Sequence, residues 1–252
     1  MNETTISEKK RFGLSSSALH IIAMAFMLCD HAWATVLSSQ EWLTCVGRIA
    51  FPIFAFMIVE GYFHTRSVKR YLLRLLIFAL VSEIPFNLMV GGGAIYPFHQ
   101  NVMFTFLISL ALVWWIDSVR KKGILWKSII ISALAVLTGF IAGFAGMVDY
   151  YGFGVLTVLV FYFFRGKKWW CILGQIVCMY IINVEGLGGY YYPITIGGFY
   201  FELQQQGIAL LALIPVWFYN GSRGITAKWF KYFCYAFYPA HILVLVILWH
   251  AL

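Results

Sequence analysis

The feature that most constrains this chain is a series of long apolar stretches that carry almost no charge. Charged residues make up 11% of the 252 positions and hydrophobic residues 62%, with a mean hydropathy of +0.82. Ordinary globular domains contain about 25% charged residues. A bilayer core of about 30 Å needs roughly 20 apolar residues for each helical crossing. The sequence therefore predicts an all-α protein, a polytopic transmembrane helical bundle.

We predict about nine spans in a single domain covering residues 1–252, because no repeat, linker or low-complexity segment interrupts the pattern. The predicted spans are residues 17–38, 43–63, 71–90, 100–117, 124–145, 150–164, 169–185, 205–219 and 233–251. No small-residue cleavage site follows the polar N-terminal segment, so we expect the first span to remain as an anchor. The connection 186–203, rich in Gly and Tyr, is expected to form an interfacial aromatic belt or a lid.

Basic residues occur only at alternate connections of this predicted bundle. Of the 18 Lys and Arg residues, all but Arg48 lie before the first span or near every second connection, and the intervening connections contain none. The positive-inside rule then places the N-terminus in the cytoplasm and the C-terminus outside. The net charge of +8 follows this topology, so we expect the bilayer, and no nucleic acid, as a partner.

Polar side chains inside the predicted spans converge at one depth. At a rise of about 1.5 Å per residue, segments of opposite direction bring such residues to the outer half of the membrane. They are Asp30, His31, Arg48, Glu83, Asn87, Gln100, Asn101, Thr105 and Asp149. Ionisable groups within a membrane are costly and mark either function or a paired structural role. One Arg–Asp pair could be a structural lock, but the larger cluster favours a functional site.

His31 is the candidate general base of this cluster. The imidazole pKa near neutrality suits it to take a proton from an attacking amine or hydroxyl. Asp30 points about 100° away from His31 on a helix, so we expect Asp30 to pair with Arg48. Glu83 or a neighbouring amide is then expected to orient the imidazole. These residues alone are compatible with acyl transfer, with a proton-coupled transporter or flippase, and with a catalytically silent scaffold.

Several stretches resemble the TraX family, whose namesake is the F-pilin acetylase. They are HIIAMAFMLCDHAW at 20–33, GRIAFPIFAFMIVEGYFHTRSVKRYLLRLLIFALVSEIPFNL at 47–88, QNVMFT at 100–105, DYYGFGVLTVLVFY at 149–162 and FYNGSRGITAKWFKYFCYAFYPAHILVL at 218–245. The resemblance implies an acetyltransferase of the bacterial cytoplasmic (inner) membrane that uses acetyl-CoA as donor, without a metal. It also implies an external acceptor, a protein or a glycan, and the family precedent favours an amine over a hydroxyl.

The resemblance also suggests residue roles. In related transmembrane acyltransferases a basic residue precedes the catalytic histidine by eleven positions; His31 matches the histidine, and His20 stands where Lys or Arg is usual. The expected catalytic residues are His31, Asp30, Arg48 and Glu83, with Arg48, Asn101 or Thr105 stabilising the oxyanion. The expected acceptor site comprises Asn87, Gln100, Asn101, Thr105, Asp149, Tyr238 and His241. The expected acetyl-CoA site comprises His20, Glu60, His64, Arg66, Arg70, Arg74, Arg223 and Lys228, and its pantetheine arm would follow the face of His20, Met24, Met27 and His31.

Overall fold

The computed structural model describes residues 12–252, and the basic residues Lys9, Lys10 and Arg11 of the predicted cytoplasmic tail lie outside this range. The α-helices are α1 (Ser16–Trp33), α2 (Trp42–Gly47), α3 (Ala50–His64), α4 (Val68–Gly91), α5 (Val102–Arg120), α6 (Leu125–Ala145), α7 (Tyr151–Phe163), α8 (Trp169–Tyr180), α9 (Leu213–Trp217) and α10 (Lys228–Ala251). A π-helix (Ile181–Leu187) continues α8, and a 3-10 helix (Gln206–Ala212) precedes α9.

Polar residues at the helix ends set several of these boundaries. The side chains of Ser15, Ser67 and Asn101 accept hydrogen bonds from backbone N–H groups in the first turns of α1, α4 and α5. Such N-caps satisfy donors that have no partner within the helix. Helix α4 ends at Gly91, and the φ of 68° at the following Gly92 is in the left-handed region that glycine adopts without strain.

Each predicted span coincides with a helical segment, and the structure therefore has the helices of a multi-pass membrane protein. Among residues 12–252, six helical segments are long and apolar enough to cross a bilayer: Trp42–His64, Val68–Gly91, Val102–Arg120, Leu125–Ala145, Trp169–Leu187 and Lys228–Ala251. Tyr151–Phe163 and Gln206–Trp217 are apolar but shorter. The count of nine crossings and the cytoplasmic N-terminus stay predictions.

Helix α6 shows how the bundle packs in an apolar solvent. Its buried positions are Ala135, Gly139 and Gly143, a small residue at every fourth position. A Cβ at Gly143 would lie 2.6 Å from the backbone of Gly152 in α7, so the two helices touch backbone to backbone. Helix pairs in membranes gain van der Waals contact in this way, because apolar burial gives no preference for protein over lipid.

The all-α prediction is wrong at one place, the connection 186–203. Strand β1 (Tyr191–Ile196) pairs in antiparallel register with β2 (Phe199–Gln204). The two-residue turn between them is formed by Gly197 (φ 57°) and Gly198 (φ 86°), the left-handed pair that a tight hairpin turn requires. The strands are rich in β-branched and aromatic residues, which favour extended structure. Most of their side chains are exposed.

The helices run between two ends of the bundle. The basic end contains the N-termini of α1, α4 and α10 and the C-termini of α3, α5 and α7. Contacts such as the 2.8 Å hydrogen bonds from Leu14 N–H to the Phe218 carbonyl and from Lys167 Nζ to the Tyr219 carbonyl join these segments. The polar end contains the C-termini of α1 and α4, helix α2, the N-termini of α5 and α7, and the hairpin. Apart from Arg48, every Lys and Arg in the described range belongs to the basic end.

Candidate functional site

An ion pair inside the polar half joins α1 to the junction of α2 and α3. Arg48 Nη2 donates to Asp30 Oδ1 at 2.8 Å and to the Thr44 hydroxyl at 2.6 Å, and that hydroxyl donates to the same Asp30 oxygen at 2.8 Å. Gln205 Nε2 donates to Thr44 Oγ1 at 3.3 Å, so the segment after the hairpin joins the network. The predicted pairing of Asp30 with Arg48 is confirmed. Arg48 occupies the two-residue interruption between α2 and α3.

The backbone of Gly47 packs directly against Asp30. An added Cβ would lie 2.4 Å from the Asp30 Cβ and 2.7 Å from its Oδ1. We expect Gly47→Ala to push the carboxylate away from Arg48 and to destabilise the protein by about 1–3 kcal/mol, the usual cost of overpacking. This cost exceeds the gain in helix propensity of roughly 1 kcal/mol. The measurement is the thermal unfolding midpoint in detergent.

Gly93→Ala is the matched control, because an added Cβ there meets no atom within 4 Å. We expect its midpoint to equal that of the parent. A Gly47→Ala protein as stable as Gly93→Ala would contradict the close contact between Gly47 and Asp30.

His31 is paired with a second histidine. Its Nδ1 lies 2.7 Å from Nε2 of His241 on α10, and Nδ1 of His241 lies 2.6 Å from the Phe237 carbonyl oxygen. The Tyr238 ring meets the edge of His31 at a centroid distance of 6.1 Å. The prediction that Glu83 or a neighbouring amide orients His31 is wrong. The partner comes from a helix 210 positions away in sequence, which no local pattern indicates.

Glu83 forms a separate contact with Asn101. One Glu83 carboxylate oxygen accepts a short hydrogen bond from Asn101 Nδ2, which also donates to the Ala79 carbonyl at 2.9 Å. The other oxygen, Oε1, is buried and has no hydrogen-bond partner within residues 12–252. Glu83 thus ties α4 to the cap of α5 and presents one free acceptor atom, a costly arrangement in an apolar interior.

Asp149 lies on a strained turn at the start of α7. Met147, Tyr150 and Tyr151 have φ values of 47°, 59° and 49°, in the left-handed region that non-glycine residues rarely adopt. The turn is held by a hydrogen bond from the Asp149 N–H to the Gln100 carbonyl at 2.9 Å. Strained backbone of this kind clusters at functional sites.

This turn brings Tyr150 to the ion pair. Its ring stacks on Phe51 at a centroid distance of 4.2 Å, and it interacts electrostatically with Arg48. The guanidinium has five N–H groups, and the partners of its hydrogen bonds within residues 12–252 are Asp30 and Thr44. Arg48 therefore retains donor capacity for a further acceptor.

The structure adds His99, which the sequence analysis did not identify. Its Nε2 lies 3.4 Å from Asp149 Oδ1, and its ring packs near Phe86 and Tyr151. His99 lies in the connection between α4 and α5, outside the spanning helices. The hydrogen bond to the Asp149 carboxylate raises the pKa of His99 above its ordinary value. A histidine–carboxylate pair is thus placed where the cluster meets the polar end.

The remaining residues expected at the acceptor site divide into two groups. Asn87 Nδ2 donates to the Ala94 carbonyl at 3.2 Å and Gln100 Nε2 to the Pro97 carbonyl at 3.0 Å, so both hold the connection between α4 and α5. Thr105 donates to the Asp149 carbonyl at 2.7 Å. Because the donors of Thr105 and Asn101 are engaged by the protein, Arg48 is the remaining member of the predicted oxyanion set.

A cavity of about 750 Å³ lies at the basic end. Seven of the eight residues expected to bind acetyl-CoA line it: His20, Glu60, His64, Arg66, Arg70, Arg74 and Arg223. Lys228 does not line it, and Lys231, one helical turn later, does. Glu60 is engaged by Arg165 at 2.6 Å, so the lining presents a strong excess of positive charge. Ligand pockets in proteins typically enclose roughly 300–1,000 Å³.

The deep wall of this cavity approaches the histidine pair. It is lined by Phe54, Met103, Phe106 and Tyr235. Phe54 is ten residues from His64 at the basic end of α3, a distance of about 15 Å along the helix. On α10, Tyr235 precedes Tyr238 by one turn, and Tyr238 contacts His31. The cavity and the candidate base are therefore neighbours along one helix.

The predicted path along α1 is not the path of the cavity. Of the four residues on that face only His20 lines the cavity; Met24 is buried with 4% exposure and Met27 packs against the core. The cavity follows α3, α4, α5 and α10 instead. The helices that enclose a cavity are determined by how they cross one another. The residue pattern along a single helix such as α1 does not contain that information.

The structure adds four further residues to the site and the cavity that were not predicted: Thr44, Tyr150, Gln205 and Lys231. A signal existed for two of them, since Thr44 precedes Arg48 by one turn and Tyr150 follows Asp149. Gln205 and Lys231 carry no such signal. Within residues 12–252, no group of three metal-ligating side chains is arranged to hold a metal ion.

The fold and the site define a multi-pass helical membrane protein with a cationic cavity at one end and a buried histidine–arginine–carboxylate cluster toward the other. The chain belongs to the TraX family, since the family model described as TraX protein matches residues 15–249. Over 250 residues it is 27% identical to the probable fimbrial assembly protein FimC, serogroup H1, of Dichelobacter nodosus, covering 94% of this chain and 96% of that relative. No solved structure matches the chain.

Proposed function

We propose that this protein is a membrane acetyltransferase that moves an acetyl group from cytosolic acetyl-CoA to an external acceptor, an amine or a hydroxyl of a surface protein or glycan. The observation that carries the proposal is the cationic cavity whose deep wall ends one turn of α10 from the residue that contacts His31. Family membership supports the acetyl group, because the TraX family is associated with pilin acetylation.

The cavity suits the donor by charge and by depth. Five cationic side chains line it: Arg66, Arg70, Arg74, Arg223 and Lys231. Guanidinium groups form strong charge-assisted hydrogen bonds with phosphate oxygens. The phosphates of acetyl-CoA would bind at this end, which would face the cytoplasm by the positive-inside rule. The apolar wall formed by Phe54, Met103 and Phe106 would accommodate the arm that carries the thioester.

The cluster supplies the groups that acyl transfer needs. The acceptor nitrogen or oxygen attacks the thioester carbon, the new C–N or C–O bond forms, and the C–S bond breaks. His31 takes the acceptor proton and returns it to the departing thiolate, so that the imidazole ends neutral. Arg48 would stabilise the oxyanion, since it retains donor capacity and an arginine stays charged at all relevant pH values.

Removing single cavity charges tests where the donor binds. We expect Arg70→Ala and Arg223→Ala each to weaken CoA binding by roughly 10-fold or more, because hydrogen bonds to charged groups contribute about 1.5–3 kcal/mol. Binding is measured by titration calorimetry on the purified protein in nanodiscs. Lys122→Ala is the matched control, since Lys122 is exposed at the same end outside the cavity.

An equal loss in the control variant would mean that CoA responds only to the general charge of the basic end. Unchanged binding in both arginine variants would contradict the assignment of the cavity. Activity is followed as release of the CoA thiol that depends on an added amine or hydroxyl acceptor.

A proton-coupled transporter or flippase is the second candidate. The observation in its favour is the interrupted helix at Arg48 and Ile49, because transporters often build their sites from broken helices. A transporter would move protons across vesicles containing the protein and would release no thiol from acetyl-CoA. Thiol release that requires an acceptor, without proton flux, would exclude it.

A further inference from the structure

We propose that His241 is a positioning residue that holds His31 in the tautomer with its proton on Nδ1, which leaves the Nε2 lone pair free to act as the base. The inference deepens the proposed function and rests on it for the catalytic role. The tautomer itself follows from the contacts of the two rings.

The two imidazoles are joined edge to edge in one plane. Their interplanar angle is 0° and their centroids are 4.9 Å apart. This separation is close to the N···N distance of 2.7 Å plus the two ring radii. The hydrogen therefore lies near the line between the ring centres, in the plane of the acceptor lone pair, which is the favoured geometry of a hydrogen bond.

The Phe237 carbonyl determines which nitrogen carries each proton. A carbonyl oxygen can only accept, so Nδ1 of His241, 2.6 Å from it, is the donor. In a neutral imidazole one nitrogen donates and the other accepts, so Nε2 of His241 is the acceptor. The proton between the rings then belongs to Nδ1 of His31, and Nε2 of His31 carries the lone pair. No hydrogen-bond partner of that Nε2 occurs in the described part of the chain.

His241 is itself locked in place. Its ring stacks on Phe237 at a centroid distance of 4.6 Å and an angle of 15°, and the residue is only 7% exposed. Its bond to the carbonyl one turn earlier adds a second constraint. The imidazole of His31 consequently meets a rigid acceptor, which limits rotation about its own side-chain bonds.

The arrangement also specifies where the proton goes during transfer. The acceptor proton adds to Nε2 of His31, and Nδ1–H continues to donate to His241. The resulting imidazolium is stabilised by a neutral imidazole in the position that a carboxylate occupies in the Ser–His–Asp triad. When the CoA thiolate takes the proton from Nε2, both histidines return to their starting tautomers.

Nitrogen-15 NMR of histidine-labelled protein tests the tautomer directly. We expect the neutral His31 signal, assigned by its loss in His31→Gln, to show a protonated Nδ1 and an unprotonated Nε2. His241→Phe keeps an aromatic ring but removes the acceptor, and we expect His31 to lose this preference. A parent protein with the proton on Nε2 of His31 would overturn the inference.

Kinetics provide the second test. His241→Gln retains an acceptor oxygen at the distance of Nε2, and we expect it to keep acetyl transfer within about 10-fold of the parent. We expect His241→Phe to lose roughly 100-fold or more, the lower end of what a positioned base contributes. CoA affinity and the unfolding midpoint should stay at the parent values in both. His250→Phe is the matched control, since Nδ1 of His250 makes the same contact with a carbonyl one turn earlier, at 2.8 Å.

The outcomes separate the two proposals. If the parent protein is active and His241→Phe is equally active, His241 does not position the base. The proposed acetyltransferase activity would then be unaffected. The opposite outcome is a parent protein that shows the expected tautomer of His31 but transfers no acetyl group. That result would contradict the proposed acetyltransferase activity and would still support the pairing of His31 with His241.

Discussion

His31→Ala is expected to lower acetyl transfer by roughly 10²–10⁴-fold, the range contributed by a positioned general base. The attacking group must lose a proton as it bonds to the thioester carbon, and His31 is the proposed base. It is held by His241 within the electrostatic influence of Arg48 and Asp149. The rate is measured as acceptor-dependent release of CoA thiol. CoA affinity is expected to remain at the parent value, because the cavity lining does not include His31.

His250→Ala is the control for this substitution, since it removes an imidazole from the same end of the bundle without touching the cluster. We expect it to be fully active. Full activity of His31→Ala would refute the assignment of the base. Equal loss of activity and CoA binding in His31→Ala would point to a folding defect instead, which the unfolding midpoint would reveal.

Arg48→Met is expected to give the largest loss of stability, about 3–5 kcal/mol in the free energy of unfolding, as is typical when one member of a buried ion pair is removed. The substitution leaves the Asp30 carboxylate with the Thr44 hydroxyl as its one described donor. Both side chains of the pair are only 20% exposed. The measurement is equilibrium unfolding in mixed micelles.

The double variant Asp30→Leu/Arg48→Met separates a structural lock from a catalytic role. Replacing both members of a buried pair by apolar groups often restores stability, so we expect the double variant to recover most of the loss. Acetyl transfer should stay low, because the proposed oxyanion donor is absent. A stable double variant with full activity would show that the Asp30–Arg48 pair has a structural role and no catalytic role.

Lys121→Met is the control for the ion pair. Lys121 bonds Asp117 at 2.7 Å but is 73% exposed, and such surface pairs contribute about 0–1 kcal/mol. If Lys121→Met lowered the free energy of unfolding as much as Arg48→Met does, an exposed ion pair would contribute as much as a buried one. That result would contradict the expected dependence on burial.

The position of polar residues was accessible from the sequence because a membrane orders its segments. A helix that spans a bilayer has a nearly fixed rise per residue, so sequence position converts directly into depth. Asp30, Arg48 and Asp149 were predicted at one level, and the structure brings them into one electrostatic cluster. Seven of the eight residues expected at the donor site lie around one cavity for the same reason.

The hydrogen-bond partners that a side chain finds on other helices could not be predicted from depth. The prediction for Glu83 failed because depth says nothing about which helices are neighbours: α4 meets α5 through Asn101, whereas α10 supplies His241. For the same reason, the face of α1 along which we predicted the pantetheine arm is not the face that lines the cavity. The hairpin was missed because its turn depends on two consecutive glycines with positive φ, while its aromatic composition also suits an interfacial belt.

The sequence by itself determined that this chain is a membrane-spanning helical protein, that its basic residues other than Arg48 lie at alternate connections, and that His31 shares a depth with Asp30 and Arg48. These properties depend on hydropathy, charge and helical rise, which are local. The tertiary structure alone decided that His31 bonds His241, that Tyr150 stacks on Phe51 of α3, and that the cavity extends along α10. Those contacts depend on helix crossing and rotation, which arise from the packing of small residues such as Gly143 and Gly152 between distant segments.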